Sequence, residues 1–225
     1  MDKHTDKNKD ILINNYNITN KEELKFKEQK IVSDAMEDLL DNDFKLSIKS
    51  SEDIKNIHKF LFGDVYPWAG EYRTTYIEKP EKVLNGFSVE YGNVNTIDET
   101  LNILLEEARL NNPNKMSLKK FVDHTRKLTA DIWRVHPFRE GNTRTAHVFA
   151  SKYCSQYGYE FNDYLVSKNS QFFRDALVLA NMYNNNHDLL EEDEAHLKRM
   201  FEDAITETPF RKKMRVQNKS NQRDR

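Results

Sequence analysis

The sequence predicts an all-α protein that carries one small β-hairpin. Glycine and proline are rare, with 6 and 5 copies among 225 residues, whereas 32% of the side chains are charged. Apolar residues recur at intervals of three and four, which is the period of a helix that buries one face. These observations favour a bundle of helices over a β-sandwich or a barrel. The length fits one main domain with a substantial core.

The first two helices are predicted from their apolar stripes and from the residues at their ends. Residues 21–40 have the pattern of an amphipathic helix, which needs a surface to pack on. Ser51 is placed to cap a second helix, and Pro67 and Gly70 are placed to end it. The two stripes consist of Leu24, Ile31, Val32, Ala35, Met36, Leu39 and Leu40, and of Ile54, Ile57, Leu61 and Phe62.

Residues 75–91, called the flap segment below, are predicted to form the hairpin. Two short β-prone runs flank Asn85 and Gly86, and this dipeptide is the strongest short-range turn signal in the chain.

Five further helical stripes follow and bring the predicted number of helices to about seven. Asn112 and Pro113 end the first of these stripes, and Gly158 ends the third. The stripes run from Ile97 to Ala108, from Phe121 to Val135, from Ala146 to Tyr157, from Phe172 to Ala180 and from Leu189 to Ala204.

Composition restricts the compartment and the class of partner. Cys154 is the single cysteine and falls on an apolar helical face, so a disulfide framework is excluded. No window approaches the roughly 18 apolar residues of a membrane span, and the first ten residues are highly charged, so we expect a cytoplasmic protein without membrane contact. Residues 209–225 hold seven basic side chains and one acidic one. We expect a disordered, solvated tail there, with nucleic-acid binding as the minority interpretation.

The stretch VHPFREGNTRTA lies between two predicted helices and concentrates polar groups at the start of the second one. The first N–H groups of a helix lack partners within the helix and carry the positive end of its dipole, so Gly141 opens a place for an anion. Arg144 adds a planar charged group suited to phosphate, and Asn142 adds a side-chain donor. Phosphate is the natural ligand.

The other polar residues of this stretch suggest chemistry on that phosphate. Glu140 would repel the ligand unless a divalent ion lies between them, which makes it a candidate Mg²⁺ ligand. His136 can accept a proton near neutral pH, and Phe138 should point into the core and hold the loop. A plain turn, with Glu140 and Arg144 as a surface pair, explains the same residues about as well.

The stretch resembles the signature of the Fic (filamentation induced by cAMP) family, which is His-Pro-Phe-x-Asp/Glu-Gly-Asn-Gly-x-x-x-Arg with an arginine after the second glycine. The matching residues are His136, Pro137, Phe138, Glu140, Gly141, Asn142 and Arg144. Residues 57–73 also resemble the family segment that leads to its flap. The resemblance covers roughly residues 45–205, which leaves residues 1–44 as an N-terminal extension and residues 206–225 as the basic tail.

The resemblance implies an all-α helical bundle whose flap hairpin aligns a target peptide beside a nucleotide. Most similar proteins transfer AMP from Mg-ATP to a Ser, Thr or Tyr hydroxyl of a target protein or of themselves. By this analogy His136 is the base, Glu140 holds Mg²⁺, and residues 141–143 cradle the α-phosphate. Arg144 would neutralise the outer phosphates. A homodimer is left open.

Two positions depart from the family pattern. Thr143 replaces the second glycine, and His147 replaces the second arginine among the candidate phosphate contacts. The related Doc branch has a lysine at the position of Thr143 and resembles a kinase that transfers the γ-phosphate. Phosphoryl transfer is therefore the alternative, followed by an inactive module that only binds nucleotide or protein.

An inhibitory helix with the pattern Ser/Thr-x-x-x-Glu-Gly/Asn occurs in many members of this family. Ser33 and Glu37 fit that pattern on the first predicted helix, but Asp38 does not. In this chain His147 would face Glu37 in place of the family's arginine. A histidine is neutral for much of the time near pH 7, whereas an arginine is always charged, so we expect this inhibitory contact to be weak or absent.

Overall fold

The computed structural model describes residues 2–6, 11–40, 46–182 and 191–208. Eight α-helices dominate these residues, together with four short strands and two turns of 3₁₀ helix. The helices are α1 (Lys21–Leu40), α2 (Ser51–Phe62), α3 (Ile97–Leu110), α4 (Leu118–Val135), α5 (Asn142–Gln156), α6 (Asp163–Lys168), α7 (Ser170–Leu179) and α8 (Glu191–Ala204). The strands are β1 (Thr5–Asp6), β2 (Ile11–Leu12), β3 (Tyr159–Phe161) and β4 (Ile205–Glu207), and the 3₁₀ turns are Lys82–Leu84 and Pro113–Lys115.

Helices α4 and α5 form the centre of the bundle. Helix α4 packs against α3, α5 and α8, while α5 also contacts α1 and α2. Every residue from Thr145 to Cys154 is buried, so α5 is enclosed on all sides. A helix enclosed in this way has both ends fixed by its neighbours, which holds its amino end at one place in the molecule.

The predicted helices are confirmed, and the first one begins and ends at the predicted residues. The predicted cap of α2 is wrong by one residue. Ser50 occupies the N-cap, and its backbone N–H donates to Asp53 Oδ2 at 2.9 Å. The Ser51 hydroxyl instead donates to Asp98 Oδ1 on α3 at 2.7 Å, so it joins two helices.

The flap segment reverses direction where predicted, but the predicted strands are wrong. Asn85 and Gly86 both have positive φ, 53° and 93°, as the turn requires. A 3₁₀ turn precedes them, and the Glu81 N–H donates to the Phe87 carbonyl at 3.0 Å. Glu81 is buried, and both of its carboxylate oxygens contact Arg174 on α7, at 2.8 and 2.7 Å. This ion pair holds the segment against α7.

Two antiparallel strand pairs and one short helix were not predicted from the sequence. Strands β1 and β2 pair near the amino end, and β3 pairs with β4 so that Tyr159 lies opposite Glu207. Strands of two or three residues are too short to show an alternating pattern, and α6 has only six residues.

Cys154 is buried, as predicted. No helix among the described residues is long and apolar enough to cross a lipid bilayer. Leu189, Leu190 and the basic tail from residue 209 onward lie outside the described residues.

Candidate functional site

The loop between α4 and α5 contains two residues with left-handed backbone. His136 ends α4 with φ 50°, and Gly141 begins α5 with φ 82°. A Cβ atom at Gly141 would lie 2.3 Å from the Phe62 ring, so no side chain fits there without movement. The loop therefore turns sharply and brings the end of α4 close to the start of α5.

Phe138 and Asn142 hold this loop in shape. Phe138 is fully buried, as predicted, and stacks on His58 with ring centroids 3.8 Å apart. The Phe138 N–H donates to Asn142 Oδ1 at 3.0 Å, and Asn142 Nδ2 donates to the Phe138 carbonyl at 2.8 Å. Both ends of the Asn142 amide thus hold the loop, and the second hydrogen of Nδ2 is left for the phosphate contact, which stays a prediction.

His58 supports the same loop, although no local sequence pattern indicates that its helix approaches this stretch. The Gly70 N–H donates to His58 Nδ1 at 2.9 Å, which leaves the ring proton on Nε2 to donate to the Glu140 carbonyl at 3.1 Å. Burial lowers the pKa of His58 to about 3, so the ring is neutral at pH 7.

Arg73 is a second supporting residue whose role the sequence did not reveal. Its guanidinium is buried and donates to backbone carbonyls, among them His136 at 2.7 Å and Thr75 at 2.9 Å. The carbonyls of Gly92 and Val135 are its other acceptors. One side chain thus connects the end of α4 to both ends of the flap segment.

His136 is buried beside the flap. Its ring stacks on Tyr91 with centroids 3.9 Å apart and meets Trp133 edge-on at 5.4 Å. Neither ring nitrogen has a hydrogen-bond partner among the residues that the structure describes. Burial, together with the charges of Lys79 and Arg73, holds the pKa of His136 well below its usual range. The imidazole is therefore neutral at pH 7 and free to accept a proton.

Glu140 remains a carboxylate at the mouth of the loop. Burial alone would raise its pKa, but Lys79, the Gly141 N–H and Arg144 outweigh burial and lower it. Gly141 N–H donates to Oε1 at 3.1 Å, and Lys79 Nζ lies 3.5 Å from Oε2. The described residues contain no cluster of three or more metal-ligating side chains. One carboxylate nevertheless suits Mg²⁺, which takes its other ligands from phosphates and water.

A small cavity of about 150 Å³ opens at the amino end of α5. Donors and cations dominate its polar lining. The first N–H groups of α5 point toward this end of the helix, and Lys79 and Arg174 add two positive charges beside them. Tyr91, Trp133, His136 and Glu140 complete the wall. The chemistry of this lining suits a phosphate group.

Thr143, the first departure from the family pattern, is held against α4. Its hydroxyl accepts a hydrogen bond from Trp133 Nε1 at 3.0 Å. The side chain that replaces a glycine is thereby fixed to a neighbouring helix, while its backbone N–H stays in the first turn of α5.

Arg144 is engaged by α1. Its guanidinium lies 2.7 Å from Glu28 Oε1 and 4.7 Å from the centroid of the Phe62 ring. Glu28 is 8% exposed and also accepts a hydrogen bond from the Tyr66 hydroxyl. The acid of α1 that contacts the motif arginine is therefore Glu28, nine residues before Glu37.

His147, the second departure, connects α5 to α6. Its Nε2 lies 2.9 Å from Asp163 Oδ1, and Ser151 donates to the other oxygen of the same carboxylate. His147 lines a separate cavity of about 660 Å³ between α1, α5, α6 and α7, to which Ser33 and Glu37 also belong. The predicted inhibitory residues thus share a cavity with His147, but the side-chain hydrogen bond of His147 is made with Asp163.

Comparison with known sequences identifies relatives of this chain. A model of the Fic/DOC family matches residues 48–154. A protein of Sinorhizobium fredii named probable protein adenylyltransferase is 33% identical over 157 residues, which cover 68% of this chain and 75% of that protein. The protein adenylyltransferase VbhT of Bartonella schoenbuchensis is 31% identical over 109 residues, covering 48% of this chain and 22% of the much longer relative.

Solved structures share the fold. BepC of Bartonella tribocorum, solved with AMPPNP bound, superposes with a TM-score of 0.72 at 19% identity and covers 91% of this chain and 97% of that one. An amino-terminal Fic domain of a VirB-translocated effector of Bartonella quintana, solved with ADP bound, gives a TM-score of 0.74 at 18% identity, with coverage of 92% and 96%.

Proposed function

Since this chain belongs to the Fic/DOC family, we propose that it is a protein adenylyltransferase, which transfers AMP from ATP to a hydroxyl of a protein and releases pyrophosphate. The observation that carries the proposal is the state of His136. Its imidazole is buried and neutral, and both ring nitrogens lack a partner beside the amino end of α5. A histidine that only filled space would be expected to have its polar atoms satisfied.

The reaction needs a base, and His136 takes that role. The oxygen of the target hydroxyl attacks the α-phosphorus, and the bond from that phosphorus to the pyrophosphate oxygen breaks. The hydroxyl proton passes to a ring nitrogen of His136. Because the imidazole is neutral beforehand, it can take this proton without first losing another one.

The developing negative charge is met by groups already in place. The first N–H groups of α5, from Asn142 to Arg144, point toward the phosphate, and the helix dipole favours an anion there. Lys79 and Arg174 add charge from the flap segment and from α7. These donors do not need to reorganise during the reaction, and much of the rate enhancement of a preorganised site comes from this saving.

Glu140 is the residue that would hold Mg²⁺. When bound, the ion neutralises phosphate charge and so removes the repulsion between the nucleotide and this carboxylate. Lys79, at 3.5 Å, neutralises Glu140 in the free protein.

The target hydroxyl belongs to a Ser, Thr or Tyr of another protein or of this chain. The flap segment presents Tyr76 and Phe87, which are 66% and 76% exposed and suited to holding an extended peptide by its apolar side chains. The cytoplasmic location and a homodimer stay predictions.

The test is the transfer of label from ATP. We expect α-³²P-ATP with Mg²⁺ to label the protein or an added target, and His136→Ala to abolish the label, because the base is lost. The matched control is His196→Ala, since His196 is an exposed histidine on α8. Label from γ-³²P-ATP alone would replace AMP transfer with phosphoryl transfer, and ATP binding without any label would leave a binding module.

A further inference from the structure

Tyr91, the last residue of the flap segment, has a hydroxyl that no group in the described residues satisfies. The side chain is 9% exposed, and its oxygen is buried without a hydrogen-bond partner. Tyr91 and His136 both line the 150 Å³ cavity, and both present unpartnered polar atoms. The Fic/DOC signature does not include this position.

The tyrosine ring is held in place by its neighbours. It stacks on His136 at 3.9 Å with 30° between the planes, and the Trp133 ring meets it edge-on at 5.8 Å. The hydroxyl is therefore carried by a ring that is itself fixed to the imidazole. Tyr91 lines the cavity from the flap side, while the first residues of α5 line it from the loop.

The hydroxyl needs a hydrogen-bond acceptor that the described part of the chain does not supply. Burial raises the pKa of the Tyr91 hydroxyl, so it stays protonated and acts as a donor. The nearby Glu81 carboxylate is engaged by Arg174 through both oxygens. The Glu140 carboxylate, which also lines the cavity, is engaged by the Gly141 N–H and by Lys79, and neither ring nitrogen of His136 bonds to the Tyr91 hydroxyl. The other polar groups of the lining are mostly cations and N–H donors.

We propose that Tyr91 is a further nucleotide-binding residue, whose hydroxyl donates a hydrogen bond to a phosphate oxygen of the bound nucleotide. This inference rests on the proposed function, because the ligand is the same nucleotide. A phosphate oxygen supplies the missing acceptor, and the charge on that oxygen strengthens the bond. In the free protein, burying the unpaired hydroxyl costs free energy, and nucleotide binding removes this cost.

The test is Tyr91→Phe, which removes the oxygen and keeps the stacked ring. Nucleotide binding is measured by titration calorimetry with α,β-methylene-ATP and Mg²⁺, since this analogue cannot transfer AMP. We expect affinity to fall about tenfold or more, because a hydrogen bond to a charged group is lost. We expect the melting temperature of the free protein to be unchanged or higher, because an unpaired buried oxygen is removed.

The matched control is Tyr153→Phe. Tyr153, on the far part of α5, is also buried, but its hydroxyl already lies 2.8 Å from Nε2 of His124 on α4. We expect this variant to lower the melting temperature and to leave nucleotide affinity unchanged. The two variants should thus give opposite results in the two measurements.

The outcomes separate this inference from the proposed function. If the wild type and Tyr91→Phe bind the analogue with equal affinity, the proposed role of the hydroxyl is overturned, while AMP transfer still stands. A lower melting temperature of free Tyr91→Phe means that the hydroxyl has a partner within the protein, which also overturns the inference. A wild type that does not bind the analogue overturns both.

Discussion

Gly141 combines two constraints at one residue, a left-handed backbone and close contact with the Phe62 ring. We expect Gly141→Ala to lower the free energy of unfolding by about 2–4 kcal/mol, because left-handed strain adds to an overlap that the packed ring cannot relieve. AMP transfer should fall with it, since the first N–H groups of α5 follow this residue. Urea unfolding and the label assay measure the two effects.

Gly86→Ala is the control for the strain alone. Gly86 has φ 93°, but a Cβ atom there would meet nothing within 4 Å. We expect a loss of about 1 kcal/mol. Equal losses at the two glycines would mean that the contact with Phe62 does not matter.

Arg73 is the residue on which the position of His136 depends most directly. We expect Arg73→Lys to lower the free energy of unfolding by about 2 kcal/mol or more, because a single ammonium cannot reach four carbonyls that a planar guanidinium spans. AMP transfer should fall more than nucleotide affinity, since the base is displaced while the N–H groups of α5 remain.

Arg109→Lys provides the comparison, because Arg109 is exposed and its ion pair within the described residues is with Glu106 on the same helix. This variant should leave the free energy of unfolding nearly unchanged, because an exposed ion pair contributes little to stability. An Arg73→Lys protein as stable and active as Arg109→Lys would show that the carbonyls need no such clamp.

At the scale of elements, α1 acts on the site through Glu28. The Glu28 carboxylate pairs with Arg144, which the nucleotide needs for its outer phosphates under the proposed function. We expect Glu28→Gln to tighten nucleotide binding about fivefold, because the Glu28 carboxylate no longer competes with the phosphates for Arg144. This factor corresponds to a gain of about 1 kcal/mol in binding free energy. Titration calorimetry with the non-transferable analogue measures it.

Glu37→Gly tests the predicted inhibitory pattern on the same helix. We expect AMP transfer equal to that of the wild type, because His147 makes its side-chain hydrogen bond with Asp163 and not with Glu37. A large gain in this variant, with no change in Glu28→Gln, would place the inhibitory contact at Glu37.

The whole molecule should lose stability when the pH falls below about 6.5. His58 and His136 have lower pKa values in the folded protein than in the unfolded chain. As the pH falls, the unfolded chain therefore binds protons first, and acid stabilises the unfolded state relative to the folded one. Below about pH 6.5 each of these histidines lowers the free energy of unfolding by about 1.4 kcal/mol for every further pH unit, and above that pH this stability is fully present.

Urea unfolding at pH 7.5, 6.5 and 5.5 checks this dependence. The slope should decrease in His136→Asn and stay unchanged in His196→Asn, which alters an exposed histidine. A wild type equally stable at all three pH values would contradict the burial of neutral histidines.

Much of the fold was predictable from local sequence patterns. The bounds of α1 and the stripes of α3, α4 and α5 follow from spacings of three and four residues, which the helix geometry itself imposes. The loop from His136 to Arg144 was found because its polar residues are adjacent in the chain. Residues that contribute from a distance, such as Arg73 and His58, carry no such local signal.

The sequence by itself determined the helices, the family and the loop that contains His136, the proposed base, because each depends on neighbours within a few residues. Only the tertiary structure decided that the flap segment is held by Arg174 without strands, that Asn142 holds the loop, that Glu28 contacts Arg144, and that the Tyr91 hydroxyl lacks a partner. These contacts join residues far apart in the chain. Which side chains meet there depends on how whole helices pack against each other, and a periodic pattern specifies a buried face without naming its partner.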